Sequence, residues 1–151
     1  NISEKYNFAN QRKSSFLQSL KKNNIKFNKN YYASLKLEEP EKSFEIIKKM
    51  LNKNKKISAI ICSTEYSALS AIKVCNYLNL RIGKDISIIT FDGPLVRDLS
   101  TPPITAASFP VKELGKRAIN ILLSKKTHNR KPANYLAKSE IIERGSVHTV
   151  K

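Results

Sequence analysis

Hydrophobic positions along the chain recur with a helical period in some stretches and form short continuous runs in others. The helical period predicts helices over about residues 4–22, from Pro40, after Ser63 or Thr64, and from Pro110. The short runs predict strands at residues 31–37, 57–62, 86–91, 104–108 and 135–142. This alternation of helices and strands predicts an α/β fold with a parallel sheet.

Local signals support these helices and indicate their buried faces. Pro40 suits the first turn of its helix, where acidic residues also complement the helix dipole. Asn23 and Asn24 end the first helix, in which Phe8, Phe16, Leu17 and Leu20 share a face. The inward positions expected in the later helices are Phe44, Ile47 and Leu51, then Ala68, Leu69, Ile72 and Cys75, then Val111, Leu114, Ala118 and Ile121.

The charge of the chain first suggests a nucleic-acid partner. Its 151 residues include 28 Lys+Arg against 12 Asp+Glu, a net charge of +16. Lysine dominates this excess, although arginine leads direct base readout. The lysines are scattered, and no basic stripe with interleaved aromatics and no zinc or helix-turn-helix motif is found. A solvated, lysine-rich surface is favoured, and a basic nucleic-acid-binding module stays as an alternative.

Other features of the composition exclude further classes. No apolar run reaches the roughly 18–20 residues that cross a bilayer, so no membrane partner is expected. Cys62 and Cys75 lie in apolar patterns and are expected to be buried free thiols in a reducing, cytoplasmic compartment. His128 and His148 lack acidic or thiol partners nearby, and no nucleotide-, metal- or nucleophile-binding motif occurs. We therefore expect no enzyme, no metal and no cofactor.

Because the chain begins with Asn1, it is expected to be a piece of a longer protein.

An ordered set of sequence pieces resembles the lactose/galactose repressor (LacI/GalR) family. The segment LRIGKDISIITFD at residues 80–92 is similar to the family's G-L-x-V-P-x-D-I-S-V-V-G-F-D. RKSSFLQSL at residues 12–20 looks like its R-x-x-G-F-x-x-A-L, and IIERGS at residues 141–146 looks like its L-V-x-R-x-S. The remaining matching pieces are AIIC at 59–62, ALSA at 68–71, TPPIT at 101–105 and PVKELGKRA at 110–118.

The resemblance implies a doubly wound parallel sheet of the periplasmic binding protein type I kind, incomplete here. Residues 1–103 would form most of the C-terminal subdomain of an effector-binding domain. Residues 104–134 would supply a crossover strand and helix to the N-terminal subdomain, and residues 135–151 a terminal strand and tail. The implied function is to bind a small effector, a sugar or sugar derivative, between the subdomains of a dimeric transcriptional regulator. DNA would be bound only by a headpiece outside this chain.

Candidate effector contacts lie where the strands of such a sheet end. Asp92 and Arg12 match the family's carboxylate after Phe/Tyr and its effector-contacting arginine, by resemblance. Thr64 and Glu65 occupy the place of the family's usual Asn-Asp, and Phe109 the place of a common Gln. Asp92 could instead be a turn residue and Arg12 a surface base, whereas Phe109 could stack on a sugar or pack at the hinge.

Two further residues differ from the family pattern, and another set matches the surface through which the family forms dimers. Gly93 replaces a frequent second Asp, and Thr90 replaces a Gly. The residues that match the family's dimer surface are Tyr66, Leu69, Ser70, Leu95 and Leu99. Ordinary core packing is the alternative role for them.

A periplasmic sugar-binding protein of a transporter shares this fold and is the first alternative function. The Thr-Pro-Pro-Ile-Thr segment and the free cysteines favour the regulator.

Overall fold

The computed structural model describes residues 7–35, 39–91, 93, 95–96, 99–123 and 135–149. The helices are α1 (Asn7–Lys22), α2 (Pro40–Lys53), α3 (Glu65–Tyr77) and α4 (Val111–Leu123), with a 3-10 turn at Lys29–Tyr31. The strands are β1 (Ala59–Ile61), β2 (Ser87–Phe91), β3 (Thr105–Ser108) and β4 (Glu140–Ile142).

The four strands form one sheet in the order β1-β2-β3-β4. β1, β2 and β3 are parallel, with Ile60 opposite Ile88 and Thr90 opposite Ala106. β4 runs antiparallel to β3. The carboxyl ends of β1, β2 and β3 therefore lie along one edge of the sheet, and the predicted parallel α/β fold is confirmed.

Helices α2 and α3 form for the reasons visible in their sequences. Pro40 is in the first turn of α2, and Ile47 and Leu51 are buried as predicted. Thr64 caps α3, because its hydroxyl accepts a hydrogen bond from the backbone of Ser67 in a capping box. The buried stripe of α3 consists of Ser67, Ala68, Ala71, Val74 and Cys75, whereas Leu69 and Ile72 are only partly buried.

The segment after β4 returns to the sheet and is anchored there by Ser146. Its hydroxyl donates to the Ile88 carbonyl at 2.6 Å and accepts from the Thr105 backbone N–H at 2.8 Å. The Ile88 N–H donates to the Ser146 carbonyl at 2.9 Å. This segment thus joins β2 to β3 near the end of the sheet opposite Phe91.

Two of the predicted strands are wrong in extent. Within residues 31–35 no regular strand is found, because Asn28 caps a 3-10 turn that occupies the start of the range. Residues 36–38 lie outside the described part of the chain. In the predicted strand 135–142, only residues Glu140–Ile142 pair with β3. Tyr135 instead packs on α4, where its hydroxyl donates to the Glu113 carboxylate and the Arg117 guanidinium lies 3.8 Å from its ring centroid.

The inward face predicted for α4 is also wrong for this chain. No residue of α4 is buried, and Val111 and Leu122 are 71% and 76% exposed. Leu114, Ala118 and Ile121 are exposed as well. The spacing of apolar residues shows which side of α4 is apolar, but within the described residues nothing buries that side.

Candidate ligand-binding site

Arg12 on α1 reaches the edge of the sheet where β1, β2 and β3 end. Its Nη1 donates a hydrogen bond to the carbonyl of Ser63, which follows β1. Its guanidinium carbon lies 3.9 Å from the ring centroid of Phe91, the last residue of β2. Partial burial lowers the pKa of Arg12 from its usual value, and the side chain remains a cation at neutral pH. A single side chain thus connects α1 to two strand ends.

Three phenylalanines surround this guanidinium, and together with it they form what we name the Arg12 cluster: Phe8, Arg12, Phe91 and Phe109. The guanidinium lies 5.1 Å from the Phe8 centroid and 6.0 Å from that of Phe109, which follows β3. The rings of Phe91 and Phe109 stack at 6.1 Å with 13° between their planes. Phe8 and Phe109 are 38% and 40% exposed, so the cluster offers aromatic surface to solvent.

This cluster brings together two of the sequence-predicted contacts, Arg12 and Phe109, and adds two that sequence reasoning missed. Phe91 could have been found as the last apolar residue before the strand end. Phe8 lies one helical turn before Arg12, a spacing at which side chains on a helix meet. Asp92, the main candidate, lies outside the described residues, and its role stays a prediction.

Thr64 and Glu65 also lie at this edge, but the structure uses both side chains locally. The Thr64 hydroxyl accepts from the Ser67 N–H at 3.3 Å as the cap of α3. The Glu65 carboxylate accepts from the backbone N–H groups of Leu95 and Val96 at 2.6 and 3.2 Å. Their predicted contacts with a ligand stay predictions.

The predicted dimer residues lie partly on the surface. Tyr66 is 61% exposed, Leu99 is 76% exposed and Leu95 is 37% exposed, whereas Leu69 and Ser70 are partly buried. Tyr66, Leu69 and Ser70 line a depression of about 410 Å³ between α2 and α3, together with Phe44 and Lys73. Whether these residues contact a second copy stays a prediction.

Metal-binding clusters and membrane-spanning helices are two other features that bear on function. In that part of the chain, no group of three or more His, Cys, Asp or Glu side chains could hold a metal ion. None of the helices described is long and apolar enough to cross a membrane. Both cysteines are free and buried, as predicted.

A parallel α/β sheet with an arginine and aromatic rings at its carboxyl edge defines a ligand-binding domain. Residues 2–147 match the model of the periplasmic binding protein-like domain. The HTH-type transcriptional repressor PurR of Haemophilus influenzae is 32% identical over 116 residues, which are 74% of this chain and 34% of that protein.

Solved structures agree with this assignment. A LacI family transcriptional regulator from Bifidobacterium animalis superposes with a TM-score of 0.81 at 24% identity, over 99% of this chain and 54% of that one. The transcriptional regulator CelR, solved with cellobiose, superposes with a TM-score of 0.71 at 15% identity, over 85% of this chain and 39% of that one. The chain belongs to the periplasmic binding protein-like domain family, as part of the effector-binding domain of LacI/GalR-type regulators.

Proposed function

We propose that this chain binds a small effector, a sugar or sugar derivative, at the Arg12 cluster and thereby regulates a DNA-binding headpiece outside this chain. The observation that carries the proposal is the meeting of Arg12 with Ser63, Phe91 and Phe109. These three residues lie at or just beyond the ends of β1, β2 and β3, where open α/β sheets bind ligands.

The chemistry of the cluster suits a sugar. A guanidinium carries several N–H donors in a fork that matches paired hydroxyl or phosphate oxygens. The half-exposed ring of Phe109 can stack on the apolar face of a sugar ring. Asp92, next to Phe91 in the sequence, would accept hydrogen bonds from hydroxyl groups. The complex of the neighbour CelR with cellobiose supports a saccharide as the effector.

The uncovered face of α4 supports a second subdomain. Its exposed apolar residues include Val111, Ile119 and Leu122. In our proposal they pack against that subdomain. Of residues 104–134, which the resemblance assigns to it, β3 pairs with β2 in the sheet described here, so the part that would belong to the second subdomain is the helix after β3. Residues 1–103 together with β3 would form the subdomain described here, and residues 135–151 the terminal strand and tail. The chain spans about a third of the length of the curated relative given above. The effector would close the cleft between the subdomains and so shift the geometry of the headpieces.

The partners follow from the same proposal. Two copies would associate through the surface of Tyr66, Leu69, Ser70, Leu95 and Leu99. The regulator would act in the cytoplasm, where its DNA is. The match to repressors favours regulation over the delivery role of a transporter protein.

The test measures saccharide binding by the full-length protein. A panel of mono- and disaccharides that includes cellobiose is screened by thermal shift and then by calorimetric titration, for wild type, Arg12→Met and Asp92→Ala. We expect binding by wild type and losses of about tenfold or more in each variant, as when a hydrogen bond to a charged group is removed. In a reporter assay, both variants keep repression and lose induction.

Arg81→Met is the matched control, because Arg81 precedes β2 and pairs with Asp85 at the opposite end of the strand. Its affinity for the saccharide stays at the wild-type value. Binding that survives in Arg12→Met, or a wild type that binds no member of the panel, contradicts the proposed function.

A further inference from the structure

The Glu65 carboxylate lies against the backbone of the connection between β2 and β3. Oε1 accepts from the Leu95 N–H at 2.6 Å and from the Val96 N–H at 3.2 Å. Leu95 and Val96 are helical, and the Leu99 N–H donates to the Leu95 carbonyl at 3.0 Å, as in a helical turn. A carboxylate at the start of such a turn makes charge-assisted bonds to otherwise unpaired N–H groups.

Gly93 provides the space that this carboxylate occupies. A Cβ atom at position 93 would lie 2.3 Å from both Cδ and Oε1 of Glu65, and 2.8 Å from Oε2. Unlike Gly83, with its φ of 79°, Gly93 does not have a left-handed backbone. A Cβ at position 93 would therefore displace the Glu65 carboxylate from its present place, and what favours glycine here is room and not backbone conformation.

The contact joins two parts of the candidate site. Glu65 is in the first turn of α3, next to the Thr64 cap. Val96 is fully buried, and its carbonyl accepts from the Ile104 N–H at 3.3 Å, just before β3. The carboxylate thus holds α3 against the backbone of Leu95 and Val96, which lie in the sequence between Phe91 and the start of β3.

We propose that Glu65 is a positioning residue, which holds the connection after β2 for effector binding, and that Gly93 is its spatial partner. The inference rests on the proposed function. It revises the expectation that Glu65 touches the effector itself. Position 65 thus carries a long acid and position 93 no side chain, and the two residues fit together in space.

The test is a double-mutant cycle in the full-length protein with Gly93→Ala, Glu65→Asp and the pair. Stability is measured by urea denaturation, and affinity by titration with the tightest-binding saccharide of the panel at a temperature where every variant is folded. Gly93→Ala is expected to lower stability and to weaken saccharide binding by roughly tenfold, as for lost hydrogen bonds to a charged acceptor. The shorter acid relieves the clash, so Gly93→Ala has a smaller effect on both quantities in the Glu65→Asp background.

Arg81→Met is again the control, because Arg81 is exposed and lies before β2, at the end of that strand away from Phe91. It leaves affinity unchanged. Additive effects of Glu65→Asp and Gly93→Ala overturn the pairing. If the two substitutions are coupled in their effects on stability but the folded variants keep the wild-type affinity for the saccharide, the positioning role is overturned and the contact is purely structural. If wild type binds no saccharide, the proposed function fails and the positioning role fails with it. The coupling of the two substitutions in urea denaturation still tests whether Glu65 and Gly93 fit together.

Discussion

The guanidinium carbon of Arg12 lies over the ring of Phe91, 3.9 Å from the ring centroid. The same guanidinium donates to the Ser63 carbonyl, so α1, β1 and β2 are joined at one point. This contact is at once a tertiary link and the centre of the proposed effector site. Its energetic and functional contributions can be separated, because lysine keeps the charge but has neither the planar fork nor the stack.

Arg12→Lys is expected to destabilise the domain by about 1 kcal/mol, the size of a partly desolvated cation–π contact. The loss is measured by urea denaturation of the full-length protein. In a double-mutant cycle with Phe91→Leu, the two substitutions are expected to be less than additive, since each removes the same contact.

The control for this cycle is Arg81→Lys. Arg81 is exposed and pairs with Asp85 at 2.6 Å, a contact of the kind that contributes about 0–1 kcal/mol at a surface. A loss at Arg81 as large as that at Arg12, or strict additivity with Phe91→Leu, would show that the stack does not contribute.

Ser146→Ala is expected to lower the stability of the domain more than Arg12→Lys does, although it removes only one oxygen atom. It leaves the Thr105 N–H and the Ile88 carbonyl without their serine partner, and both residues are buried. A buried polar group without a partner costs about 1–3 kcal/mol. The urea midpoint of the full-length protein should fall accordingly.

Ser139→Ala provides the comparison. The Ser139 hydroxyl also donates to a backbone carbonyl, that of Ser108 at 3.1 Å, but the pair is exposed. Its loss is expected to stay below about 0.5 kcal/mol, as for most surface substitutions. Equal losses at the two serines would mean that the segment after β4 is not anchored through Ser146.

The elements that sequence predicts well are those in which several local signals agree. In α2, Pro40, the acidic first turn and the spacing of Ile47 and Leu51 all indicate the same helix. By residue type alone, Ser63 and Thr64 are equivalent candidates for the cap of α3. The structure selects Thr64, because Ser67 three residues later completes the capping box.

Sequence reasoning failed where the outcome depends on distant residues. The spacing of apolar residues locates the apolar face of α4, but it carries no information about what covers that face. Arg12 and Phe109 came from resemblance to a family, whereas their meeting with Phe91 depends on the packing of α1 across two strands. The fit between Glu65 and Gly93 likewise joins residues that are far apart in the chain.

Thr90→Val is expected to leave stability unchanged or to raise it by up to about 1 kcal/mol. Thr90 is 1% exposed, and within the described residues its hydroxyl has no hydrogen-bond partner. Valine has the same shape and carries no polar atom to desolvate, so the substitution removes a penalty. The measurement is the urea midpoint of the full-length protein.

Thr105→Val, on the neighbouring strand β3, is the matched control. The Thr105 hydroxyl accepts from the Arg144 N–H at 3.0 Å, so this substitution is expected to cost about 1 kcal/mol. A marked destabilisation by Thr90→Val would reveal a partner for its hydroxyl in the folded protein.

Both cysteines are expected to resist alkylation in the folded protein. Burial raises the pKa of Cys62 to about 12 and that of Cys75 to about 11, and the thiolate is the reactive form. Iodoacetamide at pH 8, followed by peptide mapping of the full-length protein, should label both residues slowly without urea and rapidly with it. Rapid native labelling of Cys62 would contradict its burial.

The same pKa shifts predict a loss of stability in alkaline solution. The unfolded thiols ionise near their usual pKa of 9.0, whereas the folded thiols keep their protons, so the folded state binds more protons above that pH. The free energy of unfolding should therefore be at its full value below about pH 9 and decrease as pH rises from there. Urea midpoints between pH 8 and 10.5 measure the slope. Cys75→Ala is expected to reduce this slope, because the substitution removes one of the two groups that ionise only on unfolding. An unchanged slope would assign the alkaline loss of stability to other residues.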